Sequence, residues 1–482
     1  MAQSTFTSPA NPAAPERVRD AAPRASELSD NKLEALLGRL RNLTGDGAAA
    51  GQSAAPDSPL AAVARQATEF CPSEPASLKE TGIGEAEVSA LVLKYLLKSN
   101  GASGRAVAAQ MRLPFHMIHA ILGQMKIDRR IVYKTSIDPG DFLCELTTAG
   151  TEHARRAVEN CTYCGSVPVP LADYIAGVEA QSICLQRPEL ADVQRALGDL
   201  SVTRQLVSRI AQAIRAGRGM FLYGAPGNGK TSVAERITRA FGQQIWIPRA
   251  ISVDGEIIKL FDPCCHEELP LEAGSPPKFD ARWIRIRRPT VVAGGELTMD
   301  RLEAQLNKVS GICEAPIQMK SNCGTLVIDD FGRQRMAISE LLNRWIVPLE
   351  KRFDYINLPS GRAVQIPFDQ LIVFSTNLEP RSLVDEAFLR RIPYKIDFAD
   401  PSEVEFRALF DAAAAALGFA PNSEAVSYLI EKHYRAVKRP FRYCQPRDLL
   451  KQVRYYCEVH RLPSQLTPEA FDAAVANYFS VL

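Results

Sequence analysis

Three short apolar runs stand out between residues 200 and 400 of this 482-residue chain, and each of them is followed by polar residues. They cover residues 219–223, 324–328 and 370–376. Unbroken apolar runs of this length are typical of strands that are buried on both faces of a parallel sheet. We therefore predict that residues 201–400 form an α/β domain with a parallel sheet.

The segments around this domain have different patterns. Residues 401–482 are helical and amphipathic, which predicts a small helical lid. Residues 81–160 show three helical stripes followed by two strands. The stretch between, 161–200, contains a proline-rich joint and is predicted as a linker.

The first 80 residues are rich in Ala, Ser, Pro and Gly and poor in large apolar residues. Because such a segment cannot bury a core, residues 1–80 are predicted to be a disordered tail. Four leucines at helical spacing predict one short amphipathic helix over residues 30–44. That helix is either transient or a docking motif for a partner, since so short a helix is marginal alone.

Charge and hydropathy narrow the possible binding partners and cellular locations of the chain. The 57 Lys and Arg against 55 Asp and Glu give a net charge of +2, so the overall charge makes no case for nucleic acid or an anionic membrane. No apolar run approaches the roughly 18 residues that a membrane span needs, and the start lacks the order of a secretory signal. We therefore expect a cytoplasmic protein without membrane insertion, whose eleven cysteines are reduced.

A glycine-rich loop follows the first apolar run and leads into a helical pattern. Its residues are Gly224, Ala225, Pro226, Gly227, Asn228, Gly229, Lys230, Thr231 and Ser232. A G-x-x-x-x-G-K-T sequence between a strand and a helix is the phosphate-binding P-loop, in which backbone N–H groups and the helix N-terminus face the phosphates. We expect Lys230 to neutralise the β- and γ-phosphates and Thr231 to bind Mg²⁺, so the predicted ligands are ATP and Mg²⁺.

The other two apolar runs end in residues suited to hydrolysis. Asp329 and Asp330 follow the second run and have the form of a Walker B segment. Asp329 is expected to hold the hydration shell of Mg²⁺, and Asp330 to orient the attacking water. Asn377 ends the third run, and one of its possible roles is to cap the turn that follows.

The order of these elements resembles that of AAA+ ATPases. The resemblance implies a three-layer α/β/α P-loop domain with a helical lid, and it places Asn377 at the sensor 1 position, where an amide contacts the γ-phosphate or the water. The chain departs from the family at Asp330, where Glu is usual and Asp is one methylene shorter. This departure implies slow hydrolysis, or water positioned partly by Asn377 or Glu379.

The same resemblance assigns three arginines. Residues 385–392 resemble the arginine-finger segment that reaches a neighbouring subunit's site, with Arg391 as the first choice and Arg390 as the second. A guanidinium suits this role because it is always charged and can fork onto phosphate oxygens. Arg447 resembles sensor 2, which contacts the γ-phosphate; the alternative is a surface helix arginine. The implied assembly is a ring of identical subunits, a hexamer.

Residues 349–368 alternate on either side of a Ser-Gly turn and predict a β-hairpin. Its place before the third run resembles the pre-sensor 1 hairpin of MoxR-like ATPases and of enhancer-binding activators, in which the hairpin acts on a client. The chain also resembles uncharacterised bacterial AAA+ ATPases described as chaperone-like and associated with Flp pilus assembly. Upstream, residues 283–287 predict a strand with two arginines on one face, either a client-gripping ladder or the solvated side of an edge strand.

The elements of residues 81–160 resemble a winged helix-turn-helix domain. Ten basic against eight acidic residues in this stretch make a weak footprint for DNA, and the presumed recognition helix has no Arg to read guanine. Docking to a protein is favoured, and DNA binding through residues 81–160 stays open.

The predicted function is ATP hydrolysis that remodels a protein client of unknown identity, in a chaperone-like manner. The alternative is a DNA-binding, ATP-gated switch in transcription regulation or mobile-element targeting. A metal site is a further open question, because soft ligands occur in two clusters without zinc-finger spacing. These ligands are Cys161, Cys164, Cys264, Cys265 and His266.

Overall fold

The computed structural model describes residues 70–271 and 279–480. The helix predicted over 30–44 and nearly all of the predicted tail lie outside these residues. Among the helices within the two described ranges, none combines the length and the apolarity needed to cross a bilayer.

The N-terminal module, residues 79–160, packs four helices around a small sheet. Its elements are a 3₁₀ turn (Lys79–Thr81), α1 (Glu85–Ser99), β1 (Ala102–Ser103), α2 (Gly104–Met111), α3 (Phe115–Ile127), β2 (Ile131–Asp138), β3 (Asp141–Leu146) and α4 (Thr148–Asn160). The strand order is β1-β3-β2. Side chains of Ser103 and Thr147 cap α2 and α4, each accepting a hydrogen bond from a backbone amide of the first turn. The stripes predicted from the sequence, including Leu91 and Ile118, form the core of the module.

The segment predicted as a linker differs from that expectation, because much of it is folded. It contains β4 (Val169–Pro170), α5 (Leu171–Ala180) and α6 (Leu190–Ala196). Tyr174 and Val178 on α5 are buried, so this helix belongs to a core. The proline-rich joint supplies β4 itself, which pairs with a strand some 80 residues downstream, a contact that local composition does not show.

The strands that follow belong to two sheets and two ribbons. They are β5 (Met220–Tyr223), β6 (Gln244–Pro248), β7 (Ala250–Val253), β8 (Glu256–Lys259), β9 (Trp283–Arg287), β10 (Thr290–Ala293), β11 (Gln305–Asn307), β12 (Ile312–Glu314), β13 (Thr325–Ile328), β14 (Phe353–Asn357), β15 (Ala363–Pro367), β16 (Leu371–Thr376) and β17 (Tyr394–Asp397). Five of them form a parallel sheet in the order β10-β13-β16-β5-β17. The predicted α/β class with a parallel sheet is confirmed.

Helices connect and cover these strands. They are α7 (Arg204–Arg215), α8 (Lys230–Ile237), α9 (Ile317–Lys320), α10 (Ile338–Lys351), α11 (Pro380–Leu383) and α12 (Glu386–Arg391), with 3₁₀ turns at Thr238–Ala240 and Met299–Leu302. The three apolar runs noted in the sequence become β5, β13 and β16, which lie side by side with β16 in the middle. Their carboxyl ends therefore meet at one edge, where ligands of such sheets bind.

A helical bundle ends the chain. It comprises α13 (Glu403–Ala416), α14 (Ser423–Ile430), a π-helical turn (Glu431–Arg435), α15 (Gln445–His460) and α16 (Pro468–Tyr478). Ser402 and Glu405 form a capping box at the start of α13. Phe406, Phe410 and Phe471 are fully buried in the interior of this bundle, which we call the lid.

Long insertions between the parallel strands, together with β4 from the preceding segment, build a second sheet in the order β11-β12-β8-β7-β4. The ribbons β6-β9 and β14-β15 pack against it in one apolar cluster. Arg282, 2% exposed, joins this body to the N-terminal module: it pairs with Asp280 and donates hydrogen bonds to the carbonyl oxygens of Thr81 (2.9 Å) and Pro168 (3.2 Å). We refer to this assembly of the second sheet and its ribbons as the inserted body.

Candidate functional site

The loop between β5 and α8 adopts the conformation that its glycines permit. Gly224, Gly227 and Gly229 have φ values of 132°, 84° and 83°, a region that side chains disfavour. A Cβ on Gly224 would lie 2.6 Å from the carbonyl oxygen of Phe398. Within the described chain, the amides of Gly227, Asn228 and Gly229 donate to no acceptor. The loop therefore presents a cluster of N–H groups at the N-terminus of α8, which suits an anion.

Lys230 reaches back across this loop from the first turn of α8. Its ammonium donates to the carbonyl oxygens of Gly224 and Ala225, both at 2.9 Å, and to Oδ1 of Asn377 at 2.7 Å. Burial lowers the pKa of Lys230, and the nearby guanidinium of Arg442 lowers it further, while the carboxylates of Asp329 and Asp330 oppose this shift.

Thr231 and Asp329 meet where a divalent cation is expected. The Thr231 hydroxyl is 3.1 and 3.0 Å from the two carboxylate oxygens of Asp329, which follows β13. A hydroxyl beside a carboxylate, next to a phosphate-binding loop, is an oxygen-only donor set of the kind that Mg²⁺ prefers. These two residues therefore fit the predicted metal.

Asp330 and Asn377 are brought together at the same edge of the sheet. The amide nitrogen of Asn377 donates to Oδ1 of Asp330 at 3.3 Å. Asp330 has a φ of 47°, and a sharp turn follows it. Glu379, the other residue considered for positioning water, is exposed and lines a cleft of about 1180 Å³ with Tyr223 and Arg390. The structure thus pairs Asp330 with Asn377.

The predicted arginine-finger residues lie at the end of α12. Arg391 donates to Glu350 at 2.7 Å and to the carbonyl oxygen of Ala387 at 3.1 Å, and its side chain is 20% exposed. Arg390 is exposed and lines two clefts. Of the two, Arg390 is therefore the more accessible.

Arg447, the predicted sensor 2 residue, lies on the first turn of α15 with a side chain that is 67% exposed. Its ion contact is with the adjacent Asp448 at 3.7 Å. A different lid arginine, Arg442, lies beside the P-loop, where it pairs with Asp400. Sequence reasoning missed Arg442 and Asp400, because they belong to no motif and meet only through the fold.

The hairpin before β16 is formed by β14 and β15, while residues 349–351 belong to α10. One face is buried in the inserted body: Ile356 and Ile366 are 0% and 1% exposed. The opposite face, with Tyr355 at 50%, is accessible. Nearby, β9 pairs with β6, and its Ile284 and Ile286 are buried.

The candidate metal clusters do not assemble. His266 is 3% exposed and both ring nitrogens have partners, since Nδ1 is 3.1 Å from the amide of Asp262 and Nε2 is 2.8 Å from the carbonyl oxygen of Lys320. Nowhere in residues 70–271 and 279–480 do three or more His, Cys, Asp or Glu side chains group as metal ligands.

The fold and the site define a P-loop α/β domain followed by a helical lid. The lid matches a family described as a domain of unknown function (DUF8689) over residues 402–477. No curated protein matches the chain.

Solved structures similar to the chain include two proteins with AAA+ P-loop domains. One is NtrX from Brucella abortus in complex with ATP, at 13% identity and a TM-score of 0.37, with 59% of each chain covered. Another is RuvB from Thermotoga maritima, described as a Holliday junction branch migration motor, at 13% identity and a TM-score of 0.34, covering 59% of this chain and 72% of that one. The chain thus spans 59% of the length of the NtrX chain.

Proposed function

We propose that this chain is a cytoplasmic, Mg²⁺-dependent ATPase of the AAA+ type that remodels a protein client. The observation that carries the proposal is the position of Lys230, whose ammonium is held between the P-loop carbonyl oxygens and Asn377. It stands beside free loop amides and the Thr231–Asp329 pair. This is the set of groups that a nucleoside triphosphate with its metal requires.

Each residue has a role in this proposal. The loop amides and Lys230 bind the phosphates, and Thr231 with Asp329 would hold Mg²⁺, which when bound offsets charge on the phosphate oxygens. Asp330 accepts a hydrogen bond from the attacking water and orients it. Asn377 fixes the position of the Asp330 carboxylate through its amide.

A groove near the P-loop fits the base of the nucleotide. It has a volume of about 290 Å³ and is lined by residues 201–203, Leu409 and Tyr443, among others. Tyr443 connects it to the phosphate site, because its amide lies 3.5 Å from the side-chain oxygen of Asn228. Apolar side chains beside backbone polar groups are the usual surroundings of a bound base, so we place adenine here.

We further propose a ring of identical subunits, with six as the expected number. Arg390, exposed at the end of α12, is the first candidate to reach the phosphates of a neighbouring subunit, and Arg391 is the second. A guanidinium that enters in trans stabilises charge on the transferred phosphoryl group. Turnover would then require assembly.

The hairpin is proposed to transmit movement rather than to grip a client by itself. Its apolar face is buried in the inserted body, and Arg282 ties that body to the N-terminal module. Changes at the nucleotide site would therefore move these parts together. In the N-terminal module, Lys134 pairs with Glu145 and Arg130 with Asp128, which leaves less free charge for DNA and favours a protein client.

The hairpin's place before β16 supports assignment to the MoxR-like, pre-sensor 1 hairpin group. Because the sequence resembles bacterial AAA+ ATPases that are associated with Flp pilus assembly, we propose a chaperone-like role in that process.

The test of the function is steady-state ATP turnover with Asp330→Asn. This variant keeps the shape of the side chain but cannot accept the water's proton, so we expect turnover to fall by about 100-fold or more while ATP still binds. The trapped complex should retain its protein client in a pull-down. Unchanged turnover by Asp330→Asn would contradict the proposed role of this residue.

A further inference from the structure

The lid touches the P-loop through the segment that precedes α15. The amide of Cys444 donates to the carbonyl oxygen of Gly227 at 3.0 Å, and a Cβ on Gly227 would lie 2.6 Å from the Cys444 sulfur. The amide of Tyr443 faces the side-chain oxygen of Asn228. Residues 442–444 therefore lie directly on the phosphate-binding loop, and this approach depends on glycine at position 227.

Arg442 is held at this contact from both ends. Its backbone amide donates to Oε1 of Gln445 at 2.8 Å, and its guanidinium pairs with Asp400 and donates to the carbonyl oxygen of Phe441 at 3.2 Å. The other oxygen of Asp400 accepts a hydrogen bond of 2.8 Å from the side-chain amide of Asn228. A continuous path thus runs from the lid arginine through a carboxylate to the P-loop.

The two lid arginines differ in their surroundings. The side chain of Arg442 is 20% exposed, whereas that of Arg447, in the first turn of α15, is 67% exposed. Asp400 is 41% exposed, so its pairing with Arg442 is partly solvated and modest in strength. A phosphate group carries more charge than a carboxylate and accepts the forked donors of Arg at least as well.

We infer that Arg442 is a phosphate-contacting residue of the lid, and that Asp400 is an internal anion with which the nucleotide's phosphates compete for its guanidinium. The inference rests on the proposed ATPase function and deepens it. When phosphate binds the Arg442 guanidinium, the ion pair between Arg442 and Asp400 breaks, and the link from the lid through Asp400 to Asn228 of the P-loop is lost. The position of the lid then responds to the nucleotide.

The test is titration of the full chain with fluorescent N-methylanthraniloyl-ATP in Mg²⁺, for wild type, Arg442→Gln, Arg442→Lys, Arg447→Gln, Asp400→Asn and the double variant Arg442→Gln/Asp400→Asn. Loss of a charged hydrogen bond to phosphate should weaken binding by Arg442→Gln about tenfold or more, with Arg442→Lys intermediate. Arg447→Gln should bind nearly as wild type.

The nucleotide affinity of Asp400→Asn distinguishes a phosphate contact of Arg442 from a merely structural role of Arg442. It removes the competing anion, so affinity should rise in this variant and this gain should vanish in the Arg442→Gln background. Weaker binding by Asp400→Asn, or a loss confined to Arg447→Gln, would overturn the inference. If wild type itself does not bind Mg²⁺–nucleotide, the proposed function fails; if wild type binds and the Arg442 variants match it, only this inference fails.

Discussion

The ammonium of Lys230 and the amide oxygen of Asn377 are 2.7 Å apart, so the P-loop and the end of β16 share one hydrogen bond. The nitrogen of the same amide donates to Asp330. One amide is therefore oriented by a cation on one side and a carboxylate on the other. In the proposed function, this uncharged amide positions Lys230 and Asp330 relative to each other.

Replacing Asn377 should separate catalysis from binding. In Asn377→Ala, Lys230 and the loop amides remain, so the affinity for Mg²⁺–ATP should change little. Turnover should fall by about 100-fold, the usual effect of removing one positioned donor from a reacting site. The exposed Asn477 on α16 gives a matched control. If Asn377→Ala hydrolyses ATP as fast as Asn477→Ala, the role of this amide is wrong.

The features that the sequence marks most clearly are local. The P-loop and the Asp329-Asp330 pair are recognisable because a buried strand, a special turn and a helix follow one another along the chain. The second sheet of the inserted body was not predicted, because it joins β4 to strands 80 or more residues away. The pairing of Arg442 with Asp400 was not predicted for the same reason, because no sequence pattern near either residue indicates the other.

The hairpin should depend on a buried ion pair at its base. Arg344 on α10 pairs with Asp354 of β14, which is 1% exposed, and also with Glu303 at 3.3 Å. Arg344→Met leaves the Asp354 carboxylate buried without its cation, so the free energy of unfolding should fall by about 3–5 kcal/mol in chemical denaturation.

Two further variants make this prediction specific. Arg195 is exposed and pairs with Asp192 on α6. Arg195→Met should therefore lower the free energy of unfolding by only about 0.2–1 kcal/mol. Adding Asp354→Asn to Arg344→Met should recover part of the loss, because the unpaired charge is removed. Equal effects of Arg344→Met and Arg195→Met would show that the pair does not anchor the hairpin.

His266 should make stability depend on pH. Burial lowers the pKa of His266, although a hydrogen bond to the backbone of Lys320 opposes this shift. The unfolded chain takes up a proton below about pH 6.5 while the folded chain does not, so stability should fall as the pH drops below that value. The melting temperature of His266→Gln should fall less between pH 7.5 and 5.5 than that of wild type.

The exposed His153 provides the control for this pH dependence. His153→Gln should retain the wild-type fall in melting temperature. A variant at His266 with the full wild-type pH dependence would mean that another group is responsible.

If the subunits form a ring, mixing two inactive variants should restore ATP turnover. Lys230→Ala lacks a working P-loop, and Arg390→Ala lacks the arginine proposed to act in trans, so each alone should show little turnover. Mixed subunits should regain activity, because some sites then combine an intact P-loop with an intact arginine. Repeating the mixture with Arg391→Ala identifies which arginine acts. Full turnover by monomers at high dilution would contradict the ring.

The most direct test of the whole account is the affinity of the purified chain for ATP, measured by isothermal titration calorimetry with and without Mg²⁺. We predict saturable binding that weakens when Mg²⁺ is chelated, and a loss of about tenfold or more in Lys230→Ala, which removes a charged hydrogen bond to phosphate. An affinity for ATP that is the same in wild type and Lys230→Ala, with and without Mg²⁺, would contradict it.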